Sequence, residues 1–402
     1  MVDKDLDIVI YGASGFTGRL CVRYFAEHAG QVRWAIAGRN SLKLKEIIKT
    51  MALEVEVIVA DGDDAEALDR LTARTRVVLS TAGPFHRYGS KLVASCVKNA
   101  SHYADITGEN FWVKELIDKH HTEAASKGIR IVPSCGYDSL PSDLATLYAV
   151  NKMAKAVKRV DCFHTAKGSA SGGTIETIFS IGDLKLGKDM RNPYLLNPEG
   201  SYTKEQKQES WDTMAVKKNK MIDRWTGPFM MAFANTRVVR RSAALMEAQG
   251  QGYGPGFVYQ EGAYFKRYLS AFLMAVFTGL LVMLITSPLR HVIRRMLLKP
   301  GEGPSEKTML NGHFKCLLVA EAEDGEKRVF SMYAKGDPGY RLTARFLCEA
   351  ALLLAGDLEQ LPGGKAYGGV LTPATALGQA MIDRLSERDV HLEAVAQVKA
   401  QA

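Results

Sequence analysis

A glycine-rich turn that follows a short apolar run constrains the fold of this chain more than any other feature. The apolar run ends at Tyr11, and three evenly spaced glycines precede a helical pattern of apolar residues. In a strand, turn and helix of this kind, the first glycine permits the turn, the second lets backbone N–H groups approach a pyrophosphate, and the third allows close helix packing. The helix N-terminus adds a partial positive charge. A plain turn is the alternative, but the pattern predicts a dinucleotide-binding loop formed by Gly12, Ser14, Gly15, Phe16, Thr17 and Gly18.

The end of the next apolar run indicates which dinucleotide this loop binds. Residues 32–40 read as a second strand that ends about 20 residues beyond the glycines, where an NAD-selective site places an acidic residue on the ribose 2′-hydroxyl. Here the position is held by Arg39, whose guanidinium can form two hydrogen bonds with a 2′-phosphate. We therefore predict NADP(H) in preference to NAD(H). The alternative is that Arg39 only faces solvent.

The first third of the chain alternates strand-like and helix-like runs. Further strand-like runs follow at 55–61, 76–85, 102–107 and 129–134, separated by helical patterns such as 91–99 and 110–127. This alternation predicts an α/β fold, in which a Rossmann domain with a doubly wound parallel sheet occupies residues 1–145.

Polar and turn-forming residues stand at the carboxyl ends of these strands, where ligands collect in doubly wound sheets. We predict that Asp61 lies at the adenine side of the dinucleotide and that Ala82, Gly83 and Pro84 line the nicotinamide ribose. Asp105 follows the next strand and is a candidate substrate residue. Each of these residues also fits a simple turn.

The segment just beyond the last strand of this domain supplies candidates for catalysis. It contains Tyr137 and Asp138 and is expected to face the nicotinamide. Hydride transfer needs a partner that delivers a proton, for which a tyrosine or a carboxyl group is suited. We predict that these two residues deliver the proton or orient the substrate, a structural hinge being the alternative. A substrate loop is predicted further along the chain, at Ser171, Gly172, Gly173 and Thr174.

A second tyrosine pattern competes with this assignment. Tyr148 and Lys152 have the Tyr-x-x-x-Lys spacing in which a lysine lowers the pKa of a catalytic tyrosine. With 15 tyrosines in the chain, about one such match is expected by chance. The pattern therefore gives weak support for a site at this position.

Charge and cysteine usage limit the class of protein. The formal net charge of +8 indicates an anionic partner such as a dinucleotide, an acidic metabolite or a phospholipid surface, and we expect no nucleic-acid partner. The six cysteines are scattered and read as free thiols of a reducing compartment. No histidine spacing suits a metal, so none is predicted. Residues 1–7 lack the pattern of a secretory signal, which predicts a cytoplasmic protein.

Taken together, the motifs resemble one known family, the saccharopine dehydrogenase-like oxidoreductases, which include the trans-acting enoyl reductases. The motifs span nearly the whole chain and lie at residues 12–18, 37–39, 80–85, 103–109, 136–143, 171–174, 300–305, 336–340 and 369–374. The resemblance implies a Rossmann domain and an α+β domain built on an antiparallel sheet, which we place at 146–335. It also implies a C-terminal helical segment, 336–402, that packs back on the first domain.

An uncharged apolar segment at residues 268–289 interrupts the second half of the chain. Basic residues flank it on both sides: Lys266, Arg267, Arg290, Arg294, Arg295 and Lys299. As a helix this segment would measure about 33 Å, which is enough to cross the apolar core of a bilayer. A single span would separate parts that the resemblance places in one body, so we predict a helix that lies shallowly in the cytoplasmic face of a membrane. Burial in the core or in a homodimer interface is the alternative.

The sequence therefore predicts an NADPH-dependent reductase of a hydrophobic, lipid-linked substrate of the enoyl type that works at a membrane surface. Members of the family differ in their chemistry, and an amino-acid dehydrogenase of the saccharopine type is one alternative. An amino-acid substrate gives no reason for the apolar segment. A membrane-associated protein that binds NADP(H) without turnover is the other alternative.

Overall fold

Two seven-stranded sheets form the framework of the protein. The structure is a computed structural model and describes residues 4–168, 191–287 and 303–395. The strands of the first sheet are all parallel, in the order β13-β6-β5-β4-β1-β2-β3. They are β1 (Leu6–Tyr11), β2 (Trp34–Gly38), β3 (Glu56–Val59), β4 (Thr75–Ser80), β5 (His102–Ala104), β6 (Arg130–Val132) and β13 (Gly369–Val370). Apart from β13 this is the strand order of a Rossmann sheet, which confirms the predicted fold class.

Helices connect these strands and cover both faces of the sheet. They are α1 (Phe16–His28), α2 (Ser41–Met51), α3 (Ala65–Arg74), α4 (Phe85–Tyr88), α5 (Ser90–Lys98) and α6 (Asn110–Ser126). The Asn40 and Asp64 side chains start α2 and α3 by accepting hydrogen bonds from backbone N–H groups of the first turn. In β1, Ile8 and Ile10 face one core cluster and Val9 faces the other. Burial on both sides explains why the strand is continuously apolar.

The strand predicted at 76–85 is shorter in the structure. β4 ends at Ser80, because the Thr81 hydroxyl bonds to the carbonyl groups of Tyr11 and Gly12 and the chain then turns into α4. Pro84 also lacks the N–H group that a strand would need. The other predicted elements of this domain are confirmed, with ends that differ by a few residues.

The second sheet is mixed and mostly antiparallel, as the resemblance implies. Its strands are β7 (Val157–Lys167), β8 (Lys217–Asn219), β9 (Arg224–Gly227), β10 (Val258–Phe265), β11 (His313–Ala322), β12 (Lys327–Lys335) and β14 (Val390–Val395). They lie in the order β14-β12-β11-β7-β10-β9-β8. β7 and β10 pair in parallel, and the other described neighbours pair antiparallel.

The buried helix α7 (Leu140–Met153) joins the two sheets and packs on β11 and β12. The remaining helices are α8 (Lys204–Glu209), α9 (Ala232–Ala248), α10 (Tyr268–Thr286), α11 (Glu306–Leu310), α12 (Thr343–Ala355) and α13 (Pro373–Ser386). Short π-helical and 3-10 turns lie at Pro338–Leu342 and Leu358–Gln360. Asp143 of α7 accepts hydrogen bonds from the Ser242 hydroxyl at 2.5 Å and the Ala374 N–H at 2.7 Å. This buried carboxyl group ties three helices together.

The last part of the chain contributes to both sheets. β13 extends the first sheet beside β6, α12 packs on α1, and β14 forms the edge of the second sheet beside β12. The buried Arg130 guanidinium donates to carbonyl groups of Pro362, Gly364 and Ala376, which fixes the returning chain to β6. The predicted domain boundaries after residues 145 and 335 stay a prediction.

Helix α10 turns small residues toward the protein and large apolar residues toward solvent. Ala271 and Thr278 are buried, and the helix contacts β9 and β10. Side chains that are 38–66% exposed form its outer surface: Tyr268, Leu269, Phe272, Leu273, Met274, Val276, Phe277, Leu280, Val282 and Met283. The alternative of a helix buried in the core of this chain is therefore wrong for the described part of the segment. Within the described ranges, no helix combines the length and hydropathy needed to cross a bilayer.

Candidate active site

The glycine loop lies where β1 and β4 end side by side. Gly12 has a φ of +84°, in the left-handed region that favours glycine, and a Cβ atom there would lie 2.9 Å from the Ala82 nitrogen. A Cβ atom on Gly18, in the first turn of α1, would meet the Gly12 carbonyl oxygen and would lie 2.8 Å from the Ala13 Cα. The loop is thus packed tightly between helix and strands, as the glycine spacing predicts.

The N-terminus of α1 faces this loop without a side-chain cap. Its N-cap residue is Gly15, and the first turn of this helix contains no acidic residue. The backbone N–H groups therefore keep their partial positive charge available to an anion. Ser14, Phe16 and Thr17 are partly exposed around them. A phosphate group can bind to such a helix end.

Arg39 and Asp61 lie at neighbouring strand ends. Arg39 is exposed directly after β2, and its guanidinium has no hydrogen-bond or ion-pair partner among the described residues. Asp61 is exposed in the turn after β3 and accepts a hydrogen bond from the Asp63 N–H at 3.0 Å. Burial, with the Asp61 carboxylate, raises the pKa of Tyr11 to about 12, so that its hydroxyl stays protonated. The free guanidinium suits a 2′-phosphate.

The loop after β4 is held by a buried glutamate that sequence analysis did not single out. Glu109 accepts hydrogen bonds from the backbone N–H groups of Phe85 at 3.0 Å and His86 at 2.8 Å. The His86 ring nitrogen Nδ1 lies 2.7 Å from the same carboxylate. These contacts fix the start of α4, directly after residues 82–84, the predicted wall of the nicotinamide ribose. The available signal was the place of Glu109 at the end of the motif at 103–109.

Asp105 is fully buried behind this loop. It accepts hydrogen bonds from the Tyr103 hydroxyl at 2.9 Å and from the N–H groups of Thr107 at 2.9 Å and Ser134 at 3.1 Å. Burial raises its pKa to about 7, although these bonds act in the opposite direction. Asp105 thus ties the ends of β5 and β6 together, and its contact with a substrate stays a prediction.

Tyr137 and Asp138 lie in the turn between β6 and α7. The Tyr137 N–H donates to the Thr343 hydroxyl at 3.0 Å, and the phenol oxygen lies 3.4 Å from Nδ1 of His164. Asp138 is partly exposed, and its side chain makes no hydrogen bond within the described ranges. Desolvation of its carboxyl group by the surrounding protein raises its pKa to about 6. Both side chains are chemically suited to the proton transfer that we predicted for them.

A segment near the end of the chain brings the glycine loop and Tyr137 together. The Tyr340 ring packs edge-on against Phe16, with centroids 4.6 Å apart. Asp337 fixes this turn by accepting a hydrogen bond from the Tyr340 N–H at 2.9 Å, and Thr343 then accepts the bond from Tyr137. Sequence analysis placed residues 336–340 in a motif without a role, because only contacts across the whole chain reveal it.

Two other predicted features remain, the loop at 171–174 and the pattern of Tyr148 and Lys152. The predicted loop of Ser171, Gly172, Gly173 and Thr174 lies outside the described residues. Tyr148 and Lys152, which have the Tyr-x-x-x-Lys spacing, lie on α7. The Lys152 Nζ is 5.6 Å from the centroid of the Tyr148 ring, and that ring packs edge-on against Phe330 of β12. Tyr148 therefore lies against the second sheet, with the lysine over the face of its ring.

The strand-end geometry fits a bound dinucleotide. Gly12 and Gly18 leave no room for a Cβ atom, the uncapped helix offers a partial positive charge, and Arg39 offers a full one. Together these features suit a pyrophosphate and a 2′-phosphate. The fold and the site define a dinucleotide-dependent oxidoreductase of the Rossmann class.

Comparisons with known proteins identify the family. The family model "Saccharopine dehydrogenase NADP binding domain" matches residues 8–132. A trans-acting enoyl reductase of Mycobacterium tuberculosis is 33% identical over 95% of this chain and 96% of its own, and one of Mycobacterium ulcerans is 32% identical over 97% and 98%. Saccharopine dehydrogenase (L-Glu forming) from Saccharomyces cerevisiae shares the fold, with a TM-score of 0.55 and 12% identity over 97% of this chain and 100% of that chain. The protein belongs to the saccharopine dehydrogenase-like family and is an NADP-dependent oxidoreductase that acts on a small molecule.

The packing of Gly18 leads to a first prediction. Gly18→Ala places a methyl group against backbone atoms of the loop, so we expect the Kd for NADPH to rise about 10-fold or more, because overpacking of this kind costs about 1–3 kcal/mol. Fluorescence titration with NADPH measures this change. Gly279→Ala is the matched control, since a Cβ atom there would meet nothing within 4 Å. Equal affinities of both variants and the unaltered protein would show that the loop is not the binding site.

Proposed function

We propose that the protein uses NADPH to reduce the carbon–carbon double bond of a lipid-linked enoyl substrate at the cytoplasmic surface of a membrane. The observation that carries this proposal is the exposed apolar surface of α10, together with the chain segment that leads from it to the neighbourhood of Tyr137. Relatives that are named trans-acting enoyl reductases support the reaction type.

The outer surface of α10 suits a lipid better than water. Complete burial of one large apolar side chain stabilises a complex by about 1.5–3 kcal/mol, and ten such side chains are exposed on this helix. A contiguous apolar surface of this kind marks an interaction site. Lys266 and Arg267 precede the helix, and basic residues also follow the apolar segment in the sequence. Each of these charges attracts an anionic lipid surface by about 1 kcal/mol, which favours a membrane over an apolar protein partner.

A short segment connects α10 with the candidate active site. Trp225 packs edge-on against Tyr268 at the start of α10, with ring centroids 5.0 Å apart. Four residues later, Phe229 stacks on His164 with centroids 4.7 Å apart. His164 in turn lies 3.4 Å from the Tyr137 hydroxyl. In our proposal this segment guides an apolar substrate from the membrane surface to the nicotinamide.

Each residue of the site has its own role in the reduction. When bound, NADPH supplies a hydride from its nicotinamide ring to one carbon of the double bond. Tyr137 donates a proton to the other carbon, and burial raises the pKa of its phenol well above the usual value, so that it remains protonated until then. Asp138 orients the substrate or shares in the proton transfer. Glu109 holds Phe85 and His86, directly after the loop at 82–84 that in our proposal lines the nicotinamide ribose.

Three negative charges on the outer surface of α10 are expected to weaken membrane binding strongly. The triple variant Leu269→Glu, Leu273→Glu, Phe277→Glu should lower the affinity for vesicles of phosphatidylcholine and phosphatidylglycerol more than 10-fold, because three exposed apolar side chains are lost and anionic headgroups repel the new charges. Vesicle co-sedimentation measures the bound fraction.

A control with the same change in charge separates this effect from net charge alone. Trp211, Met214 and Leu310 are exposed apolar residues outside α10, and their triple replacement by glutamate should leave vesicle binding near the original level. Equal loss in both triple variants would contradict the membrane proposal. A third outcome is an original protein that does not bind vesicles and is a dimer. If the α10 variant is then a monomer, this surface is a homodimer interface.

Incubation with NADPH and a membrane lipid extract tests the reaction itself. We expect loss of the nicotinamide absorbance and a product heavier than its precursor by two hydrogen atoms, and a long-chain 2-enoyl thioester should serve as a simple substrate. Turnover of saccharopine with NADP+ instead would indicate the amino-acid dehydrogenase. If the protein binds NADPH tightly but oxidises it in none of these mixtures, it is a binding protein and not an enzyme.

A further inference from the structure

A buried polar cluster lies directly behind Tyr137, and the site described so far does not use it. His164 lies at its centre, with Nδ1 3.4 Å from the Tyr137 hydroxyl and Nε2 3.1 Å from the Ser142 oxygen. The Oε1 atom of Glu261 lies 3.7 Å from the same Nε2. His164 thus lies between the Glu261 carboxyl group and the Tyr137 hydroxyl.

The cluster lowers the stability of the folded protein, which a purely structural feature is not expected to do. The Glu261 side chain is fully buried and forms no ion pair with a lysine or arginine of the described residues. Its oxygens instead accept hydrogen bonds from Asn235 at 2.6 Å and the Tyr259 hydroxyl at 2.8 Å. A buried carboxyl group without an opposite charge lowers stability, and such groups concentrate at functional sites. Its position behind Tyr137 therefore indicates a role in the reaction.

Burial sets the protonation states of this cluster. It lowers the pKa of His164 to about 3, so the ring is neutral and has one donor and one acceptor nitrogen. It raises the pKa of Glu261 to about 7, so this carboxyl group gains and loses a proton near neutral pH. The other ionisable groups that face the cluster come from β7, β10, β11, α9 and the turn before α7, and they are Cys162, Tyr259, Cys316, Arg240 and Asp138.

We propose that Glu261 and His164 form a relay that restores the proton of Tyr137 in each turnover. This inference rests on the proposed function, in which Tyr137 is the proton donor. As the substrate C–H bond forms, the Tyr137 O–H bond breaks, and its oxygen then takes the proton of His164 Nδ1. His164 Nε2 takes the carboxyl proton of Glu261. After product release the same transfers run in reverse while water protonates Tyr137 from the open site, so that Glu261 and Nδ1 regain their protons, and no electron moves in the relay.

Nitrogen NMR of histidine-labelled protein tests the connection without any substrate. The His164 signals are identified by their loss in His164→Asn. We expect a neutral ring between about pH 5 and 9, with one inflection near pH 7 that reports the titration of Glu261 and disappears in Glu261→Gln. Glu321→Gln, a partly exposed glutamate of the same sheet, should keep the inflection. An inflection that survives in Glu261→Gln, or is missing in the original protein, would overturn the relay.

The pH dependence of turnover gives the second test. Glu261 must be protonated to donate, so kcat should fall as the pH rises through about 7. Glu261→Gln should lower kcat about 100-fold and flatten this limb, with the KM and the Kd for NADPH unchanged.

The two tests separate failure of the relay from failure of the proposed function. A merely structural role of Glu261 predicts a lower Tm and a pH profile of unchanged shape in Glu261→Gln, and this result would overturn the relay. A protein that reduces no enoyl substrate at all would refute the proposed function. In that case the histidine signals still decide whether Glu261 and His164 exchange a proton.

Discussion

Replacing Tyr137 by phenylalanine is expected to lower kcat for enoyl reduction by about 100-fold or more. The substitution removes the hydroxyl group that lies 3.4 Å from His164 and keeps the ring, which packs on Phe314 at 5.1 Å. The backbone bond to Thr343 is also kept. NADPH affinity and Tm should therefore change little. The rate of NADPH absorbance loss with a long-chain 2-enoyl thioester measures the effect.

Two further variants make this test specific. Asp138→Asn keeps the shape of the partly exposed side chain but removes its acid, and we expect it to reduce kcat less than Tyr137→Phe does. Tyr148→Phe alters the tyrosine of the rival pattern, which packs against the second sheet, and should retain full turnover. Unaltered turnover of both Tyr137→Phe and Asp138→Asn would remove this pair from the mechanism. Loss of turnover in Tyr148→Phe would move the role to that tyrosine.

Replacing Arg39 by aspartate is expected to reverse the cofactor preference. Hydrogen bonds to a charged group contribute about 1.5–3 kcal/mol, so loss of this contact should raise the Kd for NADPH roughly 10- to 100-fold. The new carboxylate also repels the 2′-phosphate. NADH lacks this phosphate, and an acidic residue at this strand end can accept a hydrogen bond from its ribose 2′-hydroxyl. Its Kd should therefore stay the same or fall, as parallel fluorescence titrations would show.

Arg70→Asp is the matched control for this change in charge. Arg70 lies on α3 and is exposed, and among the described residues it pairs only with Glu66, at 3.8 Å on the surface. The Kd values for NADPH and NADH should be the same in this variant as in the original protein. If Arg39→Asp and Arg70→Asp weakened NADPH binding equally, the preference would come from overall charge and Arg39 would have no specific role.

Local patterns in the sequence were sufficient to predict the dinucleotide-binding half of the fold. The spacing of Gly12, Gly15 and Gly18 reflects packing within one strand, turn and helix, so it is visible without any distant partner. The continuous apolar runs of the parallel strands have the same local character, since burial on both faces leaves no alternation. Cofactor preference could be predicted from Arg39 for the same reason, because its position depends only on where β2 ends.

The candidate catalytic region could be predicted only in part, because distant segments build it. Tyr137 follows the last strand of the first domain and could be noticed there, but Thr343, which holds its backbone, is separated from it by 206 residues. His164 and Glu261 come from two strands of the second sheet that pair in parallel across a long excursion of the chain. Neither residue stands in a pattern with local meaning. Only the packing of β7, β10 and α7 brings them to Tyr137.

The orientation of the apolar segment is another feature that the sequence could not predict. Its length and its lack of charge were visible, but not which side of the helix would meet the protein. In the structure, small residues such as Ala271 face β9 and β10, and the large side chains face outward. A helix with almost uniform hydrophobicity has no periodic signal that could predict this choice.

The central claim is that the loop at Gly12 holds the paired phosphates of NADPH. Titration of the purified full-length protein with NADPH and NADH, followed by nicotinamide fluorescence and calorimetry, tests this claim most directly. We predict saturable binding at one site, with NADPH bound about 10-fold or more tightly than NADH. Absence of saturable binding for both dinucleotides would contradict the account.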